Sequence, residues 1–237
     1  NGIKKLAVVS MIVAIHQPNY APWLGYFNKI AASDVFVFLD NAQHSKGSYT
    51  NRVQVSDGKD IRWLTIATSF NFGDPINVLR PSRTDWAQKH LNLLKDYYQN
   101  CSHYPDVFPE IQDIYGSLSE NSLDCANRGM IEALCRRLAL QCEFKLASEL
   151  KIDDSRGEDR LVKIVDTVAP KGIYLSGDGG KNYQNEKSFI AAGIRLQYLC
   201  FSHPNYDQSG RDFSPGLSIL DALFHLGWEN TAALVSR

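Results

Sequence analysis

Two short apolar runs decide how the chain folds: Ile12-Val13-Ala14-Ile15-His16 and, after eighteen intervening residues, Val35-Phe36-Val37-Phe38-Leu39. Both are continuous rather than alternating and rich in β-branched and aromatic side chains, which predicts strands buried on both faces. Between them Gln17 to Pro22 carries two prolines and an asparagine and must turn. Gly25 to Ala32 then places Tyr26, Phe27 and Ile30 at helical spacing, and Asp34 closes the stretch. Strand, helix and strand with uniformly apolar strands make a βαβ unit, hence a parallel sheet covered on both sides.

Outward from that unit, Val53 to Val55 and Ile61 to Thr68 read as a hairpin turned by Asp57-Gly58. Asp85 is placed to cap a helix reaching about Tyr98, with further helices over Phe108–Ser117 and Ser122–Leu140. Strand-like and helix-like segments then alternate again: a strand at Phe144–Ala147, a helix at Ser155–Val168 opened by a serine cap, and a strand at Gly172–Leu175. A helix at Glu186–Ala192, a strand at Ile194–Phe201 and a closing helix at Leu217–Leu226 follow. The expectation is one α/β domain over residues 11–237, with a mostly parallel, Rossmann-like sheet, flanking helices and a helical insertion. Residues 1–10 read as an extension or remnant ahead of Met11.

Composition narrows the function classes. The 237 residues carry 25 Lys+Arg against 26 Asp+Glu, a formal net charge of -1. That balance argues against a general nucleic-acid binder, which needs excess cation to meet phosphates. No apolar run approaches the roughly 18 residues of a membrane span. The five cysteines form no C-x-x-C pair, so they read as packed thiols of a reducing, cytoplasmic compartment. Cys200, placed inside a strand, is read the same way and not as a nucleophile for His203.

Ligands of open parallel sheets bind beyond the carboxyl ends of the strands. Four such loops carry polar groups: 16–20, 40–44, 176–181 and 202–206, and three of them contain histidine. His16 at a strand edge is a candidate general base, since imidazole titrates near neutral pH. His203 repeats the Pro-Asn-Tyr context of His16, and the two are expected to share a mouth. The loop Ser176-Gly177-Asp178-Gly179-Gly180-Lys181 offers free amides for an anion but does not match the phosphate-cradling G-x-x-x-x-G-K-[ST] pattern. His90, on an aromatic helix face, reads more readily as packing than as chemistry. A metal held by His16, Asp40, His44 and His203 has no diagnostic ligand spacing, and no metal is expected.

The run from His16 through Gln17, Tyr20, Trp23, Tyr26 and Lys29 to Ile30 resembles the opening signature of the WbqC-like family. The resemblance continues through Asp40, Gln43, Asn51-Arg52, Trp63 to Thr65 and Trp86 to His90. It resumes at Tyr174 to Gly177, Tyr183, His203-Pro204, Tyr206 and Leu217 to Asp221. Members of that family are found among genes for bacterial surface polysaccharides, O-antigen in particular. The resemblance therefore implies an acyl or aminoacyl transferase, glycyl transfer included, that forms an amide on an amino sugar. It implies His16 and His203 as proton-handling residues. Gln17, Tyr20, Trp23, Tyr26, Lys29, Asp40, Gln43, Asn51, Arg52, His90, Ser176, Gly177, Lys181 and Tyr183 become the substrate-binding set. Tyr20, Trp23 and Tyr26 would face a sugar ring. Amides of 176–180, with Lys181 or Arg52, would meet the oxyanion. The acceptor would be a nucleotide-linked amino sugar or other small molecule, and the donor a carrier-bound acyl group or an aminoacyl-tRNA, with ATP as a candidate cofactor. A nucleotide-using ligase or nucleotidylyltransferase relative, or a non-catalytic nucleotide-sugar-binding module, is the alternative. Against the nucleotidylyltransferase H-x-G-H, Trp23-Leu24-Gly25-Tyr26 keeps the glycine and replaces both histidines with aromatics, which cannot neutralise phosphate charge.

Overall fold

The computed structural model describes residues 10–236 apart from positions 154, 183 and 211. Five parallel strands form the central sheet: β1 (Ile12–His16), β2 (Val35–Phe38), β5 (Glu143–Leu146), β6 (Ile173–Ser176) and β7 (Arg195–Tyr198). Their spatial order is β5-β2-β1-β6-β7, so the strand read first from the sequence is the centre of the sheet. Val13 pairs with Val35 on one side, and Ile12 pairs with Ile173 on the other.

The apolar runs are buried on both faces, as continuous hydrophobicity requires. Ala14, Phe36, Phe38 and Leu175 point into one core with α1 (Leu24–Ala31), and α7 (Ile219–Val235) joins the same core. Val13, Ile15, Val35, Val37 and Tyr174 point into the other, against α5 (Gly157–Val168) and α6 (Glu186–Ala191). The connection from β2 to β5 carries the hairpin β3 (Arg52–Ser56) and β4 (Ile61–Thr65), then α2 (Trp86–Tyr98), α3 (Tyr104–Gly116) and α4 (Leu123–Arg137). These pack on the α1 and α7 side. Connections therefore cover one face from β1 towards β5 and the opposite face from β5 through β6 to β7. The chain reverses direction between β1 and β6, which is where an open α/β sheet leaves a crevice.

Several sequence expectations shift in detail. The last helix does not stop near Leu226: it runs to Val235 across a kink at Gly227, whose φ is 75°. A Cβ there would lie 2.8 Å from His103 Nδ1, so glycine both breaks the helical geometry and admits the imidazole. β7 is shorter than Ile194–Phe201 and only half-buried, because it is the sheet edge. Cys200 consequently lies outside the strand and is exposed, not packed. Cys125 is exposed too, Cys101 and Cys142 are partly buried, and Cys135 alone is fully buried; all five are free thiols. Ser155 does not cap α5, which starts two residues later with Arg156 at the N-cap and no side-chain capping bond. Asp85 stands at the N-cap of α2 without capping it, its carboxylate going instead to Arg83 and Lys89. The expected hairpin is present: Asp57 Oδ1 accepts from the amides of Lys59 and Asp60, with Gly58 at φ +87°. Residues 1–9 of the expected extension lie outside the described residues.

Candidate functional site

A cleft of about 1490 Å³ opens beyond the carboxyl ends of β1, β2 and β5. Ile15, His16 and Gln17 form its floor, Leu39 to Gln43 one wall, and the segment from Ala147 to Leu161, including the start of α5, the facing wall. Phe72 to Pro75 lie on its margin, and Tyr174 and Gln184 enter from the β6 side. The cleft thus sits where the change of chain direction predicts a ligand site.

His16 is built into this floor by the end of β1. Its Nδ1 lies 3.0 Å from the Gln17 carbonyl oxygen, and its ring packs edge-on against Tyr26 at 4.8 Å. A carbonyl only accepts, so Nδ1 carries the proton and donates, leaving Nε2 with its lone pair. No protein group bonds to that Nε2 among the described residues, and His16 lines the cleft. Its pKa is lowered to about 4, chiefly by burial and then by the nearby Lys29 charge, with the Gln17 bond opposing both. The imidazole is therefore neutral at pH 7.

Lys29 sits beneath it on α1, 5% exposed, with Nζ donating to the Ile15 carbonyl at 2.8 Å. It has no acidic partner among the described residues, and burial alone brings its pKa down to about 7. Tyr26 is also buried, and its hydroxyl donates to the Gln17 carbonyl at 2.9 Å, fixing the turn that orients His16. Trp23 stands behind, 6.1 Å from the His16 ring and 5.4 Å from Tyr49.

The remaining predicted residues divide sharply. Gln43 is exposed on the cleft wall. Tyr20, 1% exposed, does not offer a face to a sugar, and neither does Tyr26 at 1%; the aromatic-face expectation is corrected for both. The Tyr20 hydroxyl lies 2.7 Å from His90 Nδ1 and 2.5 Å from the Tyr115 hydroxyl. His90 Nε2 is 3.2 Å from the Thr65 carbonyl, so that nitrogen carries the proton, Tyr20 donates to Nδ1, and Tyr115 donates to Tyr20. His90 is thus a packing element, its pKa held near 4 mainly by burial. Asp40 is buried and accepts from the Ser148 amide at 2.9 Å and from Asn77 at 3.3 Å, tying β2 to the segment after β5. Asn51 donates to the Ile66 carbonyl at 3.0 Å. Arg52 donates from Nε and Nη2 to the Gly47 carbonyl and stacks 4.1 Å over Trp63, so it clamps a loop.

On the β6 side, Ser176 is buried and donates to the Gly177 carbonyl at 3.3 Å. Lys181 pairs with Asp178 at 2.5 Å and stands 5.6 Å from the Tyr198 ring. Ser176, Gly177 and Lys181 do not belong to the cleft lining, and Tyr183 lies outside the described residues. His203 is half-buried against Phe201, its Nδ1 accepting from the Gly216 amide at 3.3 Å, and it too is absent from the lining. Burial lowers its pKa. The structure therefore gathers His16, Gln17 and Gln43 at the cleft and leaves His203 elsewhere. His44, weighed as a metal ligand, is buried with both ring nitrogens unpartnered against Phe70. Among the described residues no group of three or more His, Cys, Asp or Glu is arranged to hold a metal.

Sequence reading missed the wall supplied by Ser155, Arg156 and Arg160, and the margin residue Phe72. The signal was available: the strand-end rule applied to four loops selects the segment after β5 equally well.

The matches to known proteins span nearly the whole chain. A chain of 30% identity, the uncharacterized protein Rv1507c of Mycobacterium tuberculosis, aligns over 220 residues, 92% of this chain and 94% of that one. No solved structure matches significantly. Among the described residues no helix is long and apolar enough to cross a membrane. The sequence model of the WbqC-like protein family covers residues 17–233, from the turn beside His16 into α7, and the chain belongs to that family.

Proposed function

We infer that the protein is an amide-forming acyl or aminoacyl transferase acting on an amino sugar during assembly of a bacterial surface polysaccharide, with the cleft as its substrate site. The observation that carries this reading is the state of His16: a neutral imidazole with a fixed tautomer and an Nε2 left unbonded among the described residues, in a residue that lines the cleft. When an amine attacks an acyl carbonyl, the new C–N bond leaves the nitrogen cationic and acidic. His16 Nε2 takes that proton, the oxyanion collapses, and the donor's leaving group departs with the proton. A pKa of about 4 suits this late transfer, because the acid being relieved is itself strong and the base never waits protonated. Gln17, beside it in the lining and with a side-chain amide that makes no bond to protein among the described residues, supports the developing oxyanion. Lys181 and Arg52, engaged elsewhere, are not needed for that task.

The acceptor is a nucleotide-linked amino sugar, and the donor a carrier-bound acyl group or an aminoacyl-tRNA; five free thiols agree with a cytoplasmic setting. The test is a mass-spectrometric screen of amino-sugar nucleotides with such donors. His16→Ala should lower turnover by about 100-fold or more, and full turnover in that variant contradicts the reading. A second reading, a nucleotide-sugar-binding module or nucleotide-using relative, draws on the position of the cleft at the sheet's point of reversal. It predicts ligand binding with no amide product, or product formation that requires ATP.

A further inference from the structure

The cleft has a second end, remote from His16 in sequence, where the segment after β5 enters α5. Among the described residues four charged side chains belong to the lining: Asp153, Arg156, Glu158 and Arg160. Three are engaged. Asp153 pairs with Lys163 at 2.5 Å, Glu158 accepts from the Asn185 amide at 2.5 Å, and Arg160 donates to Asn41. Arg156 alone is exposed and has no bonding partner among the described residues.

Arg156 is also the N-cap of a twelve-residue helix whose first amides receive no side-chain cap. Across from it, both polar atoms of the Gln184 amide on the β6 side are shut from solvent and have no partner among the described residues. Buried polar atoms are rarely left without partners, so these two atoms on the cleft lining mark a place for a ligand's own polar groups. A free guanidinium, open helix amides and neutral donors together suit phosphate oxygens.

On the margin stands Phe72, 97% exposed, at the tip of a turn closed by Asp74 Oδ2 accepting from the Asn71 amide at 2.7 Å. Gly73, at φ +99° with no atom near its Cβ position, lets the turn project outward. A bare aromatic ring held over a polar cleft is a stacking surface for a planar ring.

We propose that this end of the cleft seats a nucleoside diphosphate group, with its phosphates on Arg156 and the first turn of α5 and its base against Phe72. The proposal deepens the reading of the cleft as a substrate site and rests on it: the nucleotide is the handle by which the amino sugar is presented towards His16. The cleft volume is ample for both parts, exceeding the roughly 300–1,000 Å³ of ordinary small-molecule sites.

Calorimetry with UDP, ADP and GDP, using inorganic pyrophosphate as a base-free probe, tests the proposal on the full chain. Both side chains are exposed, so Arg156→Gln and Phe72→Ala should unfold at the wild-type temperature. At least one nucleoside diphosphate should bind saturably. Arg156→Gln should weaken it, and pyrophosphate as well, by about tenfold or more. Phe72→Ala should weaken the nucleotide by about tenfold while leaving pyrophosphate unchanged. Absence of saturable binding by all three nucleotides overturns the proposal, and so does wild-type affinity in either variant. Loss of amide formation in His16→Ala is a separate result: it bears on the transfer chemistry and stays as it is if nucleotide binding fails.

Discussion

Two buried histidines in this molecule have nearly the same proton affinity and opposite situations. His16 at the end of β1 and His90 in the middle of α2 are both held near pKa 4, chiefly by burial. His90 has both nitrogens occupied, by Tyr20 and by the Thr65 carbonyl, in a chain of hydroxyls that continues to Tyr115. His16 has one nitrogen occupied and the other at a cleft. Depressed pKa therefore marks burial in both cases, and only the free nitrogen separates a group that can do chemistry from one that holds packing together.

The largest stability effect should separate the two directly. His90→Ala removes a buried ring and strands the Tyr20 hydroxyl, which should cost about 3–4 kcal/mol in urea unfolding. His16→Ala, which leaves the Gln17 carbonyl still bonded by the Tyr26 hydroxyl, should cost no more than about 1 kcal/mol. Equal losses would erase the distinction.

The pH dependence is next in size and concerns both rings together. Each binds its proton more weakly folded than unfolded, so the unfolded chain holds more protons between about pH 4 and the ordinary imidazole value of 6.5. Stability contributed by each imidazole is complete above pH 6.5 and is lost as pH falls towards 4, on the order of 3 kcal/mol per group. His90→Phe, which keeps the ring volume, should remove about half of that slope. An unchanged slope would mean that His90 titrates normally.

Lys29 tests the His16 side alone. Its buried amine lacks an acidic partner, and its charge lowers the His16 pKa. Lys29→Met should raise the His16 pKa, and by removing a buried cation it should stabilise the fold at pH 7 by about 1 kcal/mol. The check is an NMR titration beside thermal unfolding; a lower His16 pKa would be the wrong sign. At the small end, Lys181→Ala breaks an exposed pair with Asp178 outside the cleft. It should change stability by less than about 0.5 kcal/mol and leave turnover unaltered.

What could be read from the chain follows the range of the interactions. Continuous apolar runs identify central strands, because burial on both faces is written locally in β1 and β2. The order β5-β2-β1-β6-β7 is a long-range property, although two βαβ units flanking an insertion made a parallel sheet the natural expectation. His16 was visible as a residue at a strand end. Tyr20 and Tyr26 were misread because aromatic side chains in a loop and a short helix look alike whether they face solvent or core. Their burial depends on Tyr115 and Cys135, about a hundred residues away. The segment carrying Arg156 is selected by the strand-end rule, but what singles out Arg156 and Gln184 within the lining, the absence of a partner among the described residues, is a three-dimensional property with no local signal.

The most direct test of the central claim is the tautomer and titration of His16 by nitrogen-15 NMR of the imidazole. The account predicts a proton on Nδ1, a bare Nε2 and a pKa near 4, with Nε2 shifting when a ligand enters the cleft and His90 unmoved. A proton resting on Nε2, or titration at the ordinary imidazole value of about 6.5, would contradict it.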